Sequence, residues 1–97
     1  MIRHIAMFRW SPEATGEQKQ AVSDALDALP GLIPAIHSYS HGADLALFDG
    51  NFDYAVAAEF RSADDVRTYI DHPDHQRVVR ELVSPIRTDR AAIQFEI

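Results

Sequence analysis

Asp53-Tyr54-Ala55-Val56-Ala57-Ala58-Glu59-Phe60 runs straight into Arg61-Ser62-Ala63-Asp64-Asp65. The first eight residues alternate with the period of a strand: Tyr54, Val56, Ala58 and Phe60 share one face, and Asp53, Ala55, Ala57 and Glu59 the other. Ser62 then supplies a hydroxyl to cap free backbone N–H groups, and Asp64 and Asp65 sit where the positive end of a helix dipole favours carboxylates. A strand that feeds a helix with almost no loop is one β-α unit. The fold follows from whether the rest of the chain repeats it.

Upstream, residues 2–10 alternate in the same way, with Ile2, His4, Ala6, Phe8 and Trp10 opposite Arg3, Ile5, Met7 and Arg9. Thr15-Gly16-Glu17-Gln18 has capping-box spacing, and Ala21, Val22, Ala25, Leu26 and Leu29 recur at helical intervals until Pro30-Gly31, predicting a helix over about 15–29. Residues 35–41 read as a weaker strand ending at Gly42. Residues 43–52 read as a loop with an apolar arm, Leu45-Ala46-Leu47-Phe48. Downstream, the helix opened at Ser62 should stop before His72, because Pro73 disfavours helical geometry in the residue before it. A further helix then starts with Pro73 in its first turn and runs to about Ser84. Ala91, Ile93, Phe95 and Ile97 alternate with Arg90, Ala92, Gln94 and Glu96 in a last strand.

The order β-α-β-β-α-(α)-β predicts an α+β, ferredoxin-like fold with a four-stranded antiparallel sheet, a single domain over residues 1–97. Four strands make a sheet roughly 19 Å wide, which two helices of about 10 Å diameter cover on one face only. The helix-side core is expected to hold Ile2, Ala6, Phe8, Val56, Ala58, Phe60, Ile93 and Phe95. The open face then carries Ile5, Met7, Ala55, Ala57 and Ala92, rimmed by Arg3, Arg9, Asp53, Glu59, Arg90 and Glu96. A small-residue apolar centre inside a charged rim has the layout of an interface, so a homodimer through this face is expected.

Composition bounds the function. A chain of 97 residues and 10.9 kDa should bury about 65% of its extended surface and keep about 5,600 Å² exposed. No apolar run is long enough to span a membrane. The N-terminus lacks the basic and apolar regions of a secretion signal, so the expected location is cytoplasmic. There are no cysteines, which removes disulfides and thiolate chemistry. A net charge of −6 with one lysine, Lys19, argues against a nucleic-acid partner. Protonating all five histidines would bring the charge to about −1, so mild acid should lower solubility.

The chemistry concentrates in Tyr69-Ile70-Asp71-His72-Pro73-Asp74-His75, which spans the break between two helices. His72 falls at the N-cap of the second of them and His75 about three residues in. The positive helix end biases His75 towards the neutral imidazole that a general base needs, with the Tyr69 phenol beside it. His4 faces the helices, where an unpaired imidazole would be costly. His37 and His41 lie about 13 Å apart on an extended strand, too far for one metal ion, and read as solvent or loop groups. Pro73 disrupts a metal-ligand spacing around His72 and His75, so no metal is expected.

His4-Ile5-Ala6-Met7-Phe8-Arg9-Trp10, the Phe60-Arg61-Ser62 step and the Tyr69/His72-Pro73/His75 run together resemble the stress-responsive dimeric α/β-barrel (Dabb) family over essentially the whole chain. That family includes the plant olivetolic acid cyclase. The resemblance implies a dimeric barrel and, in each subunit, a pocket between sheet and helices for an apolar small molecule. It implies catalytic roles for His75 and Tyr69 in a cofactor-independent aldol-type cyclase or lyase. His4, Phe8, Leu26, Tyr54, Val56 and His72 would contact substrate. Leu26 and Tyr54 stand where the cyclase has a tyrosine and a histidine. The alternative is a non-catalytic, stress-responsive or ligand-binding barrel whose histidines are structural.

Overall fold

The computed structural model describes all 97 residues, Met1–Ile97. Strand β1 (Ile2–Trp10) is followed by helix α1 (Gly16–Leu32), strands β2 (Ser38–Ala43) and β3 (Tyr54–Phe60), helices α2 (Ala63–Asp71) and α3 (Pro73–Val78), a π-helical turn over Val79–Val83, and strand β4 (Arg87–Glu96). The strands lie in the order β2-β3-β1-β4, every pair antiparallel, which is the ferredoxin-like α+β topology expected from the sequence. All three helices pack on the same face of the sheet. Tyr54, Val56, Ala58 and Phe60 of β3 interleave there with His4, Ala6, Phe8 and Trp10 of β1 and with Val22, Leu26 and Leu29 of α1.

Local chemistry accounts for most boundaries. Thr15 and Gln18 form a reciprocal capping box, Oγ1 of Thr15 accepting from the Gln18 N–H at 3.1 Å and Oε1 of Gln18 from the Thr15 N–H at 2.9 Å. Helix α1 nevertheless runs past the expected stop and carries Pro30 inside its last turn. The Ile33 N–H still donates to the Leu29 carbonyl at 2.9 Å, and Ile33 is buried, so packing holds the turn against the proline. β2 starts and ends later than expected, at Ser38 and Ala43 rather than 35 and 41. Its register is set by β3 from Ser38 opposite Glu59 to Ala43 opposite Tyr54.

The main correction concerns the faces of β4. Ile93 pairs with Ile5 and Phe95 with Arg3, so both lie on the open face and are 58% and 42% exposed, not in the helix-side core. Arg90, Ala92 and Glu96 pair with Phe8, Ala6 and Ile2 and lie on the helix side rather than on or around the open face. Both alternations of β4 contain apolar residues, so composition did not determine which faced the helices; the antiparallel register with β1 did. Asp53 also leaves the predicted rim. It sits just before β3, and its carboxylate accepts from the Trp10 N–H at 2.8 Å.

The open face therefore carries Ile5, Met7, Ala55, Ala57, Ile93 and Phe95, with Arg3 and Glu59 paired across β1 and β3 at 3.0 Å. Next to it in sequence, Leu45, Leu47 and Phe48 of the β2–β3 loop are at least 70% exposed. No helix is long and apolar enough to cross a membrane.

Candidate functional site

The site is built by the break between α2 and α3. Ser62 caps α2, its Oγ accepting from the Asp65 N–H at 3.1 Å, and this sets the helix phase so that Val66 and Tyr69, three residues apart, both turn inward. Pro73 requires an extended residue before it, and His72 has φ −62° and ψ 134°. The His72 Nδ1 accepts from the Asp74 N–H at 3.1 Å, so this imidazole caps α3. Pro73 occupies the first turn of α3, where its missing N–H is not needed. His75 is thereby swung back onto α2, with its ring centroid 4.3 Å from that of Tyr69.

Hydrogen bonding defines which nitrogen of His75 can act. Its Nδ1 lies 3.1 Å from the Ile70 carbonyl oxygen, which can only accept, so Nδ1 carries the proton and Nε2 the free lone pair of the neutral ring. Burial lowers the pKa of His75; the Ile70 contact opposes this, and the positive charge of Arg90 and the proximity of the His72 ring reinforce it. His4 of β1 takes the opposite tautomer. The Gln94 amide donates to its Nδ1 at 2.8 Å, which leaves an Nε2–H donor. Burial, Arg90 and His75 lower the pKa of His4 to about 4. Two neutral imidazoles, one offering a lone pair and the other an N–H, thus line one wall.

Tyr69 is 2% exposed and sits between them, 5.8 Å from the His4 ring. Its hydroxyl is 2.7 Å from that of Tyr39 on β2. Burial raises the pKa of both phenols, but their contact lowers that of Tyr69 and raises that of Tyr39. Either hydroxyl can donate in this contact, so the pair couples Tyr69 on the cavity wall to Tyr39 on the edge strand.

His4, Tyr69 and His75 open onto a cavity of about 620 Å³ between sheet and helices, within the usual range for a small-molecule site. Of the expected site residues, His4, Phe8, Leu26, Val56, Tyr69 and His75 line it. Tyr54 and His72 do not. Tyr54 packs against Trp10, and its hydroxyl is 2.7 Å from His41 Nδ1. His72 is the α3 cap. The π-helical turn supplies Val79, Arg80 and Val83 to the far wall; its wide i to i+5 bond, Ser84 N–H to the Val79 carbonyl at 2.8 Å, re-aims the chain there.

Four residues of this region escaped the sequence reading. Arg87 and Arg90 reach the cavity because β4 presents its other face, and Gln94 meets His4 for the same reason. Tyr39 falls in the weaker strand read over residues 35–41, where nothing in the sequence links it to Tyr69. His41 is also not a solvent group. Its side chain is 9% exposed and bridges the Tyr54 hydroxyl and the Asp27 carboxylate, each at 2.7 Å.

A four-stranded ferredoxin-like sheet with a tyrosine–histidine pocket beneath its helices defines a class of small α+β pocket proteins. The family model of the stress responsive A/B barrel domain, Dabb, matches residues 2–97, and the chain belongs to that family. It is 28% identical over 95 residues to a stress-response A/B barrel domain-containing protein of Arabidopsis thaliana, covering 98% of this chain but only 36% of that relative's length. Among solved structures it resembles a dimeric ferredoxin-like protein of unknown function from Thermobifida fusca, with 45% identity, a TM-score of 0.91 and coverage of 99% and 90% of the two chains. A hydroxynitrile lyase from Passiflora edulis shares the fold at 19% identity, with a TM-score of 0.86 and coverage of 99% and 92%.

Proposed function

We propose that this chain is a homodimeric, cofactor-independent acid–base enzyme of the cyclase or lyase type, working in the cavity beneath its helices. The observation that carries the reading is the free Nε2 of His75, held against Tyr69 on the wall of a 620 Å³ cavity, with Nδ1 tied to Ile70. A filled, cavity-free interior would instead have favoured a structural role for these side chains.

In an aldol-type closure, His75 Nε2 takes a proton from the carbon next to a carbonyl group. The resulting enolate carbon bonds to a second carbonyl carbon of the same molecule. The oxygen of that carbonyl takes the electron pair and recovers the proton from His75, so the reaction needs no redox partner. Tyr69 and the Nε2–H of His4 are the donors available to the enolate oxygen, and their positions are set before substrate arrives. Run in reverse, the same proton transfers cleave a carbon–carbon bond next to a hydroxyl. The hydroxynitrile lyase of the same fold is in keeping with chemistry of that kind.

The dimer uses the open sheet face. Ile5, Met7, Ile93 and Phe95 would otherwise leave an apolar patch in water, and the exposed Leu45–Phe48 arm would pack on a second subunit. The T. fusca relative, described as dimeric, supports a dimer. Turnover of β-keto thioesters is the test of the catalytic reading. His75→Ala should lower the rate by at least about 10²-fold, and a rate left unchanged by it removes His75 as the base.

A further inference from the structure

We infer that the cavity receives a small carboxylic acid as its anion, with the apolar body against Leu26, Val56 and Val83 and the carboxylate held at the mouth by Arg90, Arg87 and Arg80. The inference names the substrate class of the site proposed above and rests on that site being a binding pocket, though not on its turning anything over.

Charge sign is the first argument. The chain has fifteen acidic and nine basic residues, yet the cavity lining holds three arginines and no aspartate or glutamate. An acidic protein that gathers cations at one concave, partly apolar site creates a local field for anions. Pairing is the second. Arg3, Arg9, Arg67 and Arg77 each have a carboxylate within 3.7 Å, whereas Arg87 and Arg90 have none within 4.0 Å and Arg80 reaches only its neighbour Glu81, at 4.0 Å. The guanidinium groups at the cavity are therefore free to bind an external carboxylate with parallel N–H donors.

The gradient of polarity orients the ligand. Leu26, Val56 and Val83 are at most 4% exposed, while Arg80 and Arg90 are exposed and Arg87 is half-buried. An anion with an apolar body matches that gradient; a cation or a neutral polar molecule does not. Register with Phe8 places Arg90 on the helix side of β4, and its charge reaches both His4 and His75, so a carboxylate there would lie within the field of the reacting groups.

Octanoate is a suitable probe, titrated calorimetrically into the full chain at low ionic strength beside octan-1-ol, which has the same chain length and no charge. Octanoate should bind at least about tenfold more tightly than the alcohol. Arg90→Gln should erase most of that preference, and Arg61→Gln, which removes another unpaired arginine outside the cavity, should leave it intact. Equal affinity for acid and alcohol, no binding of either, or unchanged octanoate affinity in Arg90→Gln overturns the inference. Should Arg90→Gln fail to fold, the Arg80→Gln, Arg87→Gln double variant makes the same comparison. A protein that shows the preference but turns over no substrate supports the inference and counts only against the catalytic reading.

Discussion

The hydroxyl of Tyr39, on edge strand β2, lies 2.7 Å from the hydroxyl of Tyr69, on α2, although thirty residues separate them in the chain. The contact lowers the pKa of Tyr69 and raises that of Tyr39, against a background of burial that raises both. Tyr39 does not line the cavity, so in the proposed reaction it would act as a positioning residue through Tyr69. Tyr39→Phe should lower kcat about tenfold with KM nearly unchanged, and should move the alkaline limb of the pH–rate profile upward because Tyr69 loses the hydroxyl contact that lowers its pKa. An unchanged profile would show that the tyrosine pair is only structural.

His75 should govern the acidic limb. Its pKa is held below the ordinary value of 6.5, so the free-base form already predominates at neutral pH and activity should be flat there, falling only on acidification. His75→Ala should reduce the rate by about 10²- to 10⁴-fold. Steady-state kinetics between pH 4 and 9 make the comparison. A rate that keeps climbing above pH 7 would require a different base.

Acid should also weaken the fold. His4 binds its proton more weakly when folded, with a pKa of about 4, than when unfolded, near 6.5, and His75 is shifted in the same direction. Between those values the unfolded chain takes up more protons than the folded one, so stability is fully present above pH 6.5 and declines as pH falls towards 4. The shift at His4 corresponds to about 3 kcal/mol at most. Urea melts at pH 7 and pH 4.5 should show the loss, and His4→Gln should flatten it. Equal midpoints for the native chain at the two pH values would contradict the assignment of a neutral, buried His4.

Phe95 pairs with Arg3 on the open face, and Ile93 lies beside Ile5. Ile93→Glu with Phe95→Glu should therefore convert a dimer to a monomer in sedimentation, leaving the far-ultraviolet circular dichroism of the subunit intact because neither side chain enters the core. A wild-type chain that sediments as a monomer at micromolar concentration would refute the dimer.

The Asp27–His41–Tyr54 chain should be worth more to stability than to activity, since none of the three lines the cavity. His41→Ala strands the hydroxyl of buried Tyr54 and should cost about 1–3 kcal/mol, part of which Tyr54→Phe in the same chain restores. Additive losses in the double variant would show that the two side chains are not coupled.

Much of this molecule was legible in the chain. The alternation of residues 2–10 and 54–60, the caps at Thr15 and Ser62, and the stop imposed by Pro73 are local effects, each settled within a few residues by sterics and backbone hydrogen bonding. The antiparallel ferredoxin-like order follows from those elements and their short connections. Even the nearness of Tyr69 to His75 depends on one proline-directed bend.

What the chain alone left undetermined is everything that depends on register between distant strands. Two apolar alternations compete in β4, and a shift of one residue exchanges its faces; only pairing with β1 sends Ile93 and Phe95 outward and brings Arg90 and Gln94 to the histidines. The meeting of Tyr39 with Tyr69, and of His41 with Asp27, is likewise set by where an edge strand comes to rest. The sequence by itself determined the elements and the Tyr69–His75 pair. The tertiary structure decided which side chains surround that pair and the charge at the cavity mouth, because side chains far apart in the chain acquire neighbours only when the sheet forms.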